Sequence, residues 1–60
     1  MLYLVDLYEG AEIIWMAETR KEINKAKEQH TEDTDGECLL TILDSLKPKD
    51  EQNLIDLGLI

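Results

Sequence analysis

Residues 2–17 read LYLVDLYEGAEIIWMA, two short apolar runs separated by Glu9 and Gly10. Val, Ile, Tyr and Trp favour strands, and a glycine between two such runs supplies the positive φ that a tight turn needs. The pattern therefore predicts a β-hairpin with strands at about 2–8 and 11–17.

Both faces of this predicted hairpin are apolar. An antiparallel sheet with one solvated face alternates apolar with polar side chains, and neither strand does so in any register. Large exposed apolar patches usually mark interfaces, so the excess predicts a homodimer or an obligatory protein partner. The candidate contact face consists of Tyr3, Val5, Leu7, Ile14 and Met16.

A helix is predicted over 19–30. Thr19 and Glu22 have the spacing of a capping box, and the residues that follow are almost all straight-chain helix formers. Its apolar stripe is thin, with only Ile23 and Ala26, so we expect a helix that lies on the outside of the domain.

The segment after the turn at 31–37 has two interpretations. Thr34 and Glu37 could form a second capping box for a helix at 35–46, which is the interpretation that helical spacing favours. Five apolar residues carry that spacing: Leu39, Leu40, Ile42, Leu43 and Leu46. The alternative is a third strand at 37–43, which would extend the hairpin to a three-stranded sheet.

A last helix is expected at 49–57, because Pro48 suits a first helical turn and Gly58 suits the residue after a helix end. The expected fold class is α+β. In the preferred version the hairpin is followed by an exposed helix and a helical hairpin, and in the alternative the element order is ββαβα. Residues 1–60 are expected to form a single small acidic domain.

The charge balance limits the classes of partner. The chain has 14 acidic and 6 basic residues and a formal net charge of −8. Binding through phosphate neutralisation needs a basic footprint, and an anionic membrane would repel this chain, so direct binding to either is not expected. One cysteine, Cys38, allows no internal disulfide framework, and the apolar runs are too short to span a bilayer, so we expect a cytoplasmic protein.

The acidic residues offer a second candidate surface. Seven of them form the candidate acidic contact face: Glu9, Glu12, Glu28, Glu32, Asp33, Asp35 and Glu37. An ordinary solvated surface that keeps a small protein soluble explains such residues without any partner. Two functions remain open. One is a small protein–protein interaction module or regulator, and the alternative is an inhibitor that mimics nucleic-acid phosphate and blocks a basic groove.

Catalysis and metal binding are not expected. Residues 33–36 resemble the centre of a calcium loop, but Thr31 and Ile42 occupy the positions of its first aspartate and its bidentate glutamate. His30 and Cys38 are the only residues of their kinds, and no activating motif surrounds either. The sequence predicts no enzyme, no cofactor, no metal site and no small-molecule substrate.

Overall fold

The computed structural model describes residues 1–60 and contains three strands and two helices. In chain order these are β1 (Leu2–Asp6), β2 (Glu12–Ala17), α1 (Arg20–Asp33), β3 (Leu40–Asp44) and α2 (Pro48–Asp56). The strands form one antiparallel sheet in the order β2-β1-β3, so β1 is central and the other two are edge strands. The predicted α+β class and N-terminal hairpin are confirmed.

The helix favoured at 35–46 does not form; Leu40–Asp44 is a strand instead, in agreement with the alternative of a third strand at 37–43. β3 pairs with the free side of β1, and the ladder is extended at both ends by Leu7 N–H donating to Leu39 C=O at 2.8 Å and Ser45 N–H donating to Met1 C=O at 3.0 Å. Tertiary pairing therefore overrides local propensity. Thr34, expected to start a helix, instead donates its hydroxyl to the His30 carbonyl at 2.8 Å beyond the end of α1.

The two helices lie on opposite faces of the sheet. α1 covers the face with Leu2, Leu4 and Ala17, here called the α1 face, and inserts Ile23 into it. α2 covers the other, the α2 face, where its own buried residue packs against two strand residues: Val5, Leu43 and Leu54. The second apolar face of β1 is thus covered by α2 from the same chain. Neither helix has the length and apolar character needed to cross a membrane.

α1 begins with the capping that its sequence indicates but ends later than predicted. The Thr19 hydroxyl accepts a hydrogen bond from Glu22 N–H at 3.3 Å, which satisfies one free amide of the first turn. The helix runs three residues past its predicted end. Asp35 and Gly36 then adopt positive φ values of 54° and 80°, which turn the chain back toward the sheet.

A β-bulge shifts the register between β1 and β2. Leu4 lies opposite Trp15, but Val5 lies opposite Ile13, which leaves Ile14 as the extra residue. As a result Ile13 packs on the α2 face while Ile14 packs on the α1 face.

Candidate protein-binding surface

Strand β2 exposes large apolar side chains on both faces of the sheet. Trp15 lies opposite Leu4 on the α1 face, and Met16 lies opposite Tyr3 on the α2 face. Each of the two β2 side chains is 56% exposed, whereas Leu4 is fully buried. The large apolar side chains that the hairpin exposes to solvent therefore lie on its outer strand, β2.

The outer side of β2 has no strand partner. The C=O of Met1 and the N–H of Leu7 form hydrogen bonds with the β3 side of the sheet. In a regular antiparallel ladder every second residue bonds to the same neighbouring strand, so Tyr3 also directs its N–H and C=O toward β3. Met16, opposite Tyr3, then turns its own N–H and C=O away from β1. The open edge of the sheet thus carries an unpaired backbone donor and acceptor next to two exposed apolar side chains.

A groove of about 470 Å³ runs between β2 and α1. Its apolar surface comes from Ile14, Trp15 and Ala26. The polar lining is contributed by α1 alone: Glu22, Lys25, Gln29, His30 and Asp33. An apolar floor with a charged margin suits an extended peptide segment that buries one or two side chains.

The predicted apolar contact face is divided by the fold. Val5 is fully buried under α2, and Tyr3 and Leu7 pack half-buried against the same cluster. Ile14 lies on the α1 face because of the bulge, and of the five residues only Met16 is largely exposed. The five residues do not form one surface.

Trp15 was missed as a member of the contact surface. The signal available in the sequence was the absence of polar residues on both sides of β2 after Glu12. The bulge itself has no sequence marker, so the face assignment of Ile13 and Ile14 could not be predicted.

All seven residues of the predicted acidic face are exposed, and the fold gathers five of them. The turn between β1 and β2, the last turn of α1 and the segment before β3 meet at one end of the sheet, here called the acidic end. It carries Glu9, Glu12, Asp33, Asp35 and Glu37. Glu28 and Glu32 lie apart from it, on a different side of α1 that they share with Lys27.

Basic residues lie at the other end of the sheet, where both helices begin. Arg20 and Lys21 open α1, and Lys47 and Lys49 flank the start of α2. The same end also carries five acids, Glu18, Glu22, Asp44, Asp50 and Glu51, so the charge is polarised along the strands between a net acidic end and an end where charges nearly balance. Both helix dipoles reinforce it, since helix N-termini are positive and C-termini negative.

The Asp6 carboxylate connects the three segments that meet at the acidic end. Its carboxylate accepts hydrogen bonds from Tyr8 N–H at 2.9 Å and Leu39 N–H at 3.2 Å, and its Oδ2 lies 3.1 Å from Nε2 of His30. The backbone donors of Tyr8 and Leu39, followed by His30, hold the pKa of Asp6 below its ordinary value of 3.8. Sequence reasoning gave Asp6 no role, although it is the one charged residue in the first strand.

The residues weighed for chemistry, His30 and Cys38, are both partly buried. His30 contacts Asp6, and Cys38 is a half-buried free thiol. No group of three or more His, Cys, Asp or Glu side chains is positioned to hold a metal ion. Comparison with protein-family models, curated proteins and solved structures finds no match to this chain.

Proposed function

We propose that this chain is a small protein–protein interaction module that acts by binding and that β2, with the groove beside it, is its docking surface. The observation that carries the proposal is the exposure of Trp15 and Met16 on opposite faces of an edge strand with unpaired backbone groups. Edge strands recognise extended segments through main-chain hydrogen bonds, while alternate side chains enter neighbouring pockets. The single cysteine is consistent with a cytoplasmic site of action.

The surface is suited to an extended partner segment. Such a segment would pair with the N–H and C=O of Met16 and place a side chain in the groove beside Trp15. Fully burying a large apolar side chain contributes about 1.5–3 kcal/mol, and Trp15 and Met16, each 56% exposed, would contribute roughly half of that on binding. Tryptophan is also among the residues that most often dominate binding energy.

Affinity capture with variants of β2 tests the proposal. The bait is the full chain, exposed to lysate of the cells that naturally make it, as wild type, as Met16→Lys and as Leu46→Lys. Leu46 is the matched control, because it is 83% exposed and lies in the turn after β3. We expect a protein that the wild type and Leu46→Lys retain and that Met16→Lys loses. Equal retention by all three baits contradicts the proposal.

A second candidate function is inhibition by nucleic-acid mimicry, and the convergence of five acids at one end of the fold favours it. A surface that carries several exposed carboxylates can bind the kind of basic groove that binds phosphates. Binding of that kind falls steeply between about 0.05 and about 0.2 M salt, because ionic interactions between exposed charges are screened.

Charge-neutralising variants separate this candidate from apolar docking. The test variant replaces the acids of the acidic end with their amides, at Glu9, Glu12, Asp33, Asp35 and Glu37. The control replaces Glu28 and Glu32 with glutamine, which removes charge from another side of α1. Mimicry predicts loss of partner binding in the first variant only. Salt-resistant binding by the first variant contradicts it.

A further inference from the structure

We infer that the occupant of the β2 edge is a second copy of this chain, paired antiparallel through β2 about a two-fold axis to give one continuous six-stranded sheet. The inference rests on the proposed function, because it takes the same edge as the binding surface and names what binds there. It commits to one partner and to one relative orientation of the strands.

The β2 edge is self-complementary in its backbone. An antiparallel pair related by a two-fold axis presents the same residues from both sides, so each donor meets an acceptor of its copy. The N–H and C=O of Met16 point away from β1 and supply one such donor and one such acceptor. The pairing gives these groups partners that the three-stranded sheet alone does not provide.

Pairing at this edge also covers apolar surface on both faces of the sheet. On the α1 face, Trp15 of each copy lies near the groove and the α1 helix of the other copy. On the α2 face, Met16 and the half-buried Ile13 of the two copies are brought together. Only seven side chains are buried in the single chain. A domain of about 60 residues is marginally stable on its own, so burial of further apolar side chains favours association.

The charge distribution selects the antiparallel orientation. β2 begins with Glu12 at the acidic end and is followed at its other end by Arg20 and Lys21 of α1. Antiparallel pairing places the acidic end of one copy beside the N-terminal half of α1 in the other, where the bases Arg20, Lys21 and Lys25 outnumber the acids Glu18 and Glu22. Parallel pairing would place the two acidic ends side by side. Like charges so arranged repel one another, which disfavours that orientation.

The other edge of the sheet is not equivalent. The N–H of Asp44 in β3 donates to Oδ2 of Asp50 in the first turn of α2 at 3.0 Å. A side chain therefore already occupies a position where a second strand would have to bind. Native sheets block edges in this manner to prevent pairing. No side chain bonds to an amide of β2, and the bulge at Ile14 leaves Trp15–Ala17 as the regular part of that edge, where pairing is expected.

Sedimentation equilibrium of the purified full chain tests the inference, at concentrations from about 1 μM to about 1 mM, which spans the dissociation constants of weak to moderate complexes. The wild type is expected to approach twice the monomer mass of 6.9 kDa. Met16→Lys is expected to remain at the monomer mass, since a lysine beside the edge opposes pairing. Leu46→Lys, remote from β2, is expected to behave as the wild type.

Two measurements on the wild type do not depend on whether a variant folds. Trp15 is the only tryptophan, so its emission is expected to shift to shorter wavelength as the concentration rises and the side chain leaves water. The exchange rate of the Met16 amide is expected to fall over the same range. A wild type at 6.9 kDa throughout, with neither change, overturns self-pairing, and so does a dimer that persists unchanged in a folded Met16→Lys.

The outcomes also separate this inference from the proposed function. A monomeric wild type whose cellular partner is lost in Met16→Lys overturns self-pairing and supports the docking surface. A dimer that Met16→Lys dissociates, with no other protein retained in a β2-dependent manner, supports self-pairing and contradicts the wider role in binding other proteins.

Discussion

The two edges of the sheet differ in how they are protected. β3 has α2 packed against it, and the Asp50 carboxylate accepts a hydrogen bond from the Asp44 amide at that edge. β2 has only α1 above one of its faces, and Trp15 and Met16 stand exposed beside unpaired backbone groups. Both strands pair with β1, so the sheet itself does not cause the difference. The difference arises from the helix that comes after each strand in the chain.

The difference between the two edges indicates that β2 can pair with another strand with little loss of conformational entropy. An edge strand already held in extended conformation loses little backbone entropy when another strand pairs with it. Asp50 would have to leave the Asp44 amide before the edge of β3 could bind in the same way. Substitutions can remove the contacts that hold and protect β3 one at a time, with expected effects that range from large to small.

The largest effect is expected from Leu54→Ala, which removes the fully buried side chain by which α2 holds β3. Truncating a buried leucine costs about 2–5 kcal/mol, a large part of the roughly 3–9 kcal/mol available to a domain of this size. The urea midpoint followed by circular dichroism should fall sharply. Ile55→Ala, which is 48% exposed in wild type, is the control and should change the free energy of unfolding much less. Equal midpoints would mean that α2 does not hold β3.

A smaller loss is expected from Asp6→Asn, because the carboxylate fixes the point where β3 begins. Asparagine keeps one acceptor oxygen but loses the charge that the amides of Tyr8 and Leu39 and the imidazole of His30 stabilise. We expect a melting temperature lower by several degrees at pH 7. Asp56→Asn, whose carboxylate contacts only Gln52 one turn earlier in α2, is the control.

The pH dependence of this loss has a defined sign. The pKa of Asp6 is lowered in the folded chain, so its contribution is fully present above the ordinary value of 3.8 and is lost as the pH falls through the lower folded value. The difference in melting temperature between wild type and Asp6→Asn should therefore shrink as the pH is lowered below about 4. A difference that stays constant down to pH 2 would show that the charge of Asp6 does not contribute to the stability of the fold.

The smallest change in stability is expected from Asp50→Ala, which leaves the Asp44 amide without its acceptor. The loss should be about 1 kcal/mol, the usual contribution of one hydrogen bond. Exchange of the Asp44 amide should accelerate, and association through β3 should appear in sedimentation as species larger than those of the wild type. Glu51→Ala, also in the first turn of α2 but exposed, controls for the interaction with the helix dipole. Unchanged exchange at Asp44 would remove the proposed difference between the two edges.

Local patterns predicted the parts of the fold whose partners are close in sequence. The hairpin followed from two apolar runs around Gly10, and the start of α1 followed from Thr19 and Glu22. The segment at 35–46 has apolar residues at helical spacing, which favoured a helix over the alternative strand at 37–43. Its conformation depended on the free side of β1, more than thirty residues away, which no local pattern reports.

The sequence predicted an apolar contact face on the hairpin, and the fold distributes the residues of that face differently. The apolar excess of the hairpin was evident, yet Val5 lies in the core and Trp15 lies at the surface. Because of the bulge at Ile14, the residues before it lie on the opposite face of the sheet from the one that regular alternation predicts. A shift of one residue is enough, because side chains alternate with a period of two.

The sequence by itself determined the α+β class, the charge of the chain and the apolar character of both hairpin strands, because each depends on composition or on neighbours within a few residues. The tertiary structure alone decided which helix covers which face, which edge remains open and which acids gather at one end. Those outcomes depend on where β3 and α2 pack, and packing depends on contacts between residues far apart in the chain.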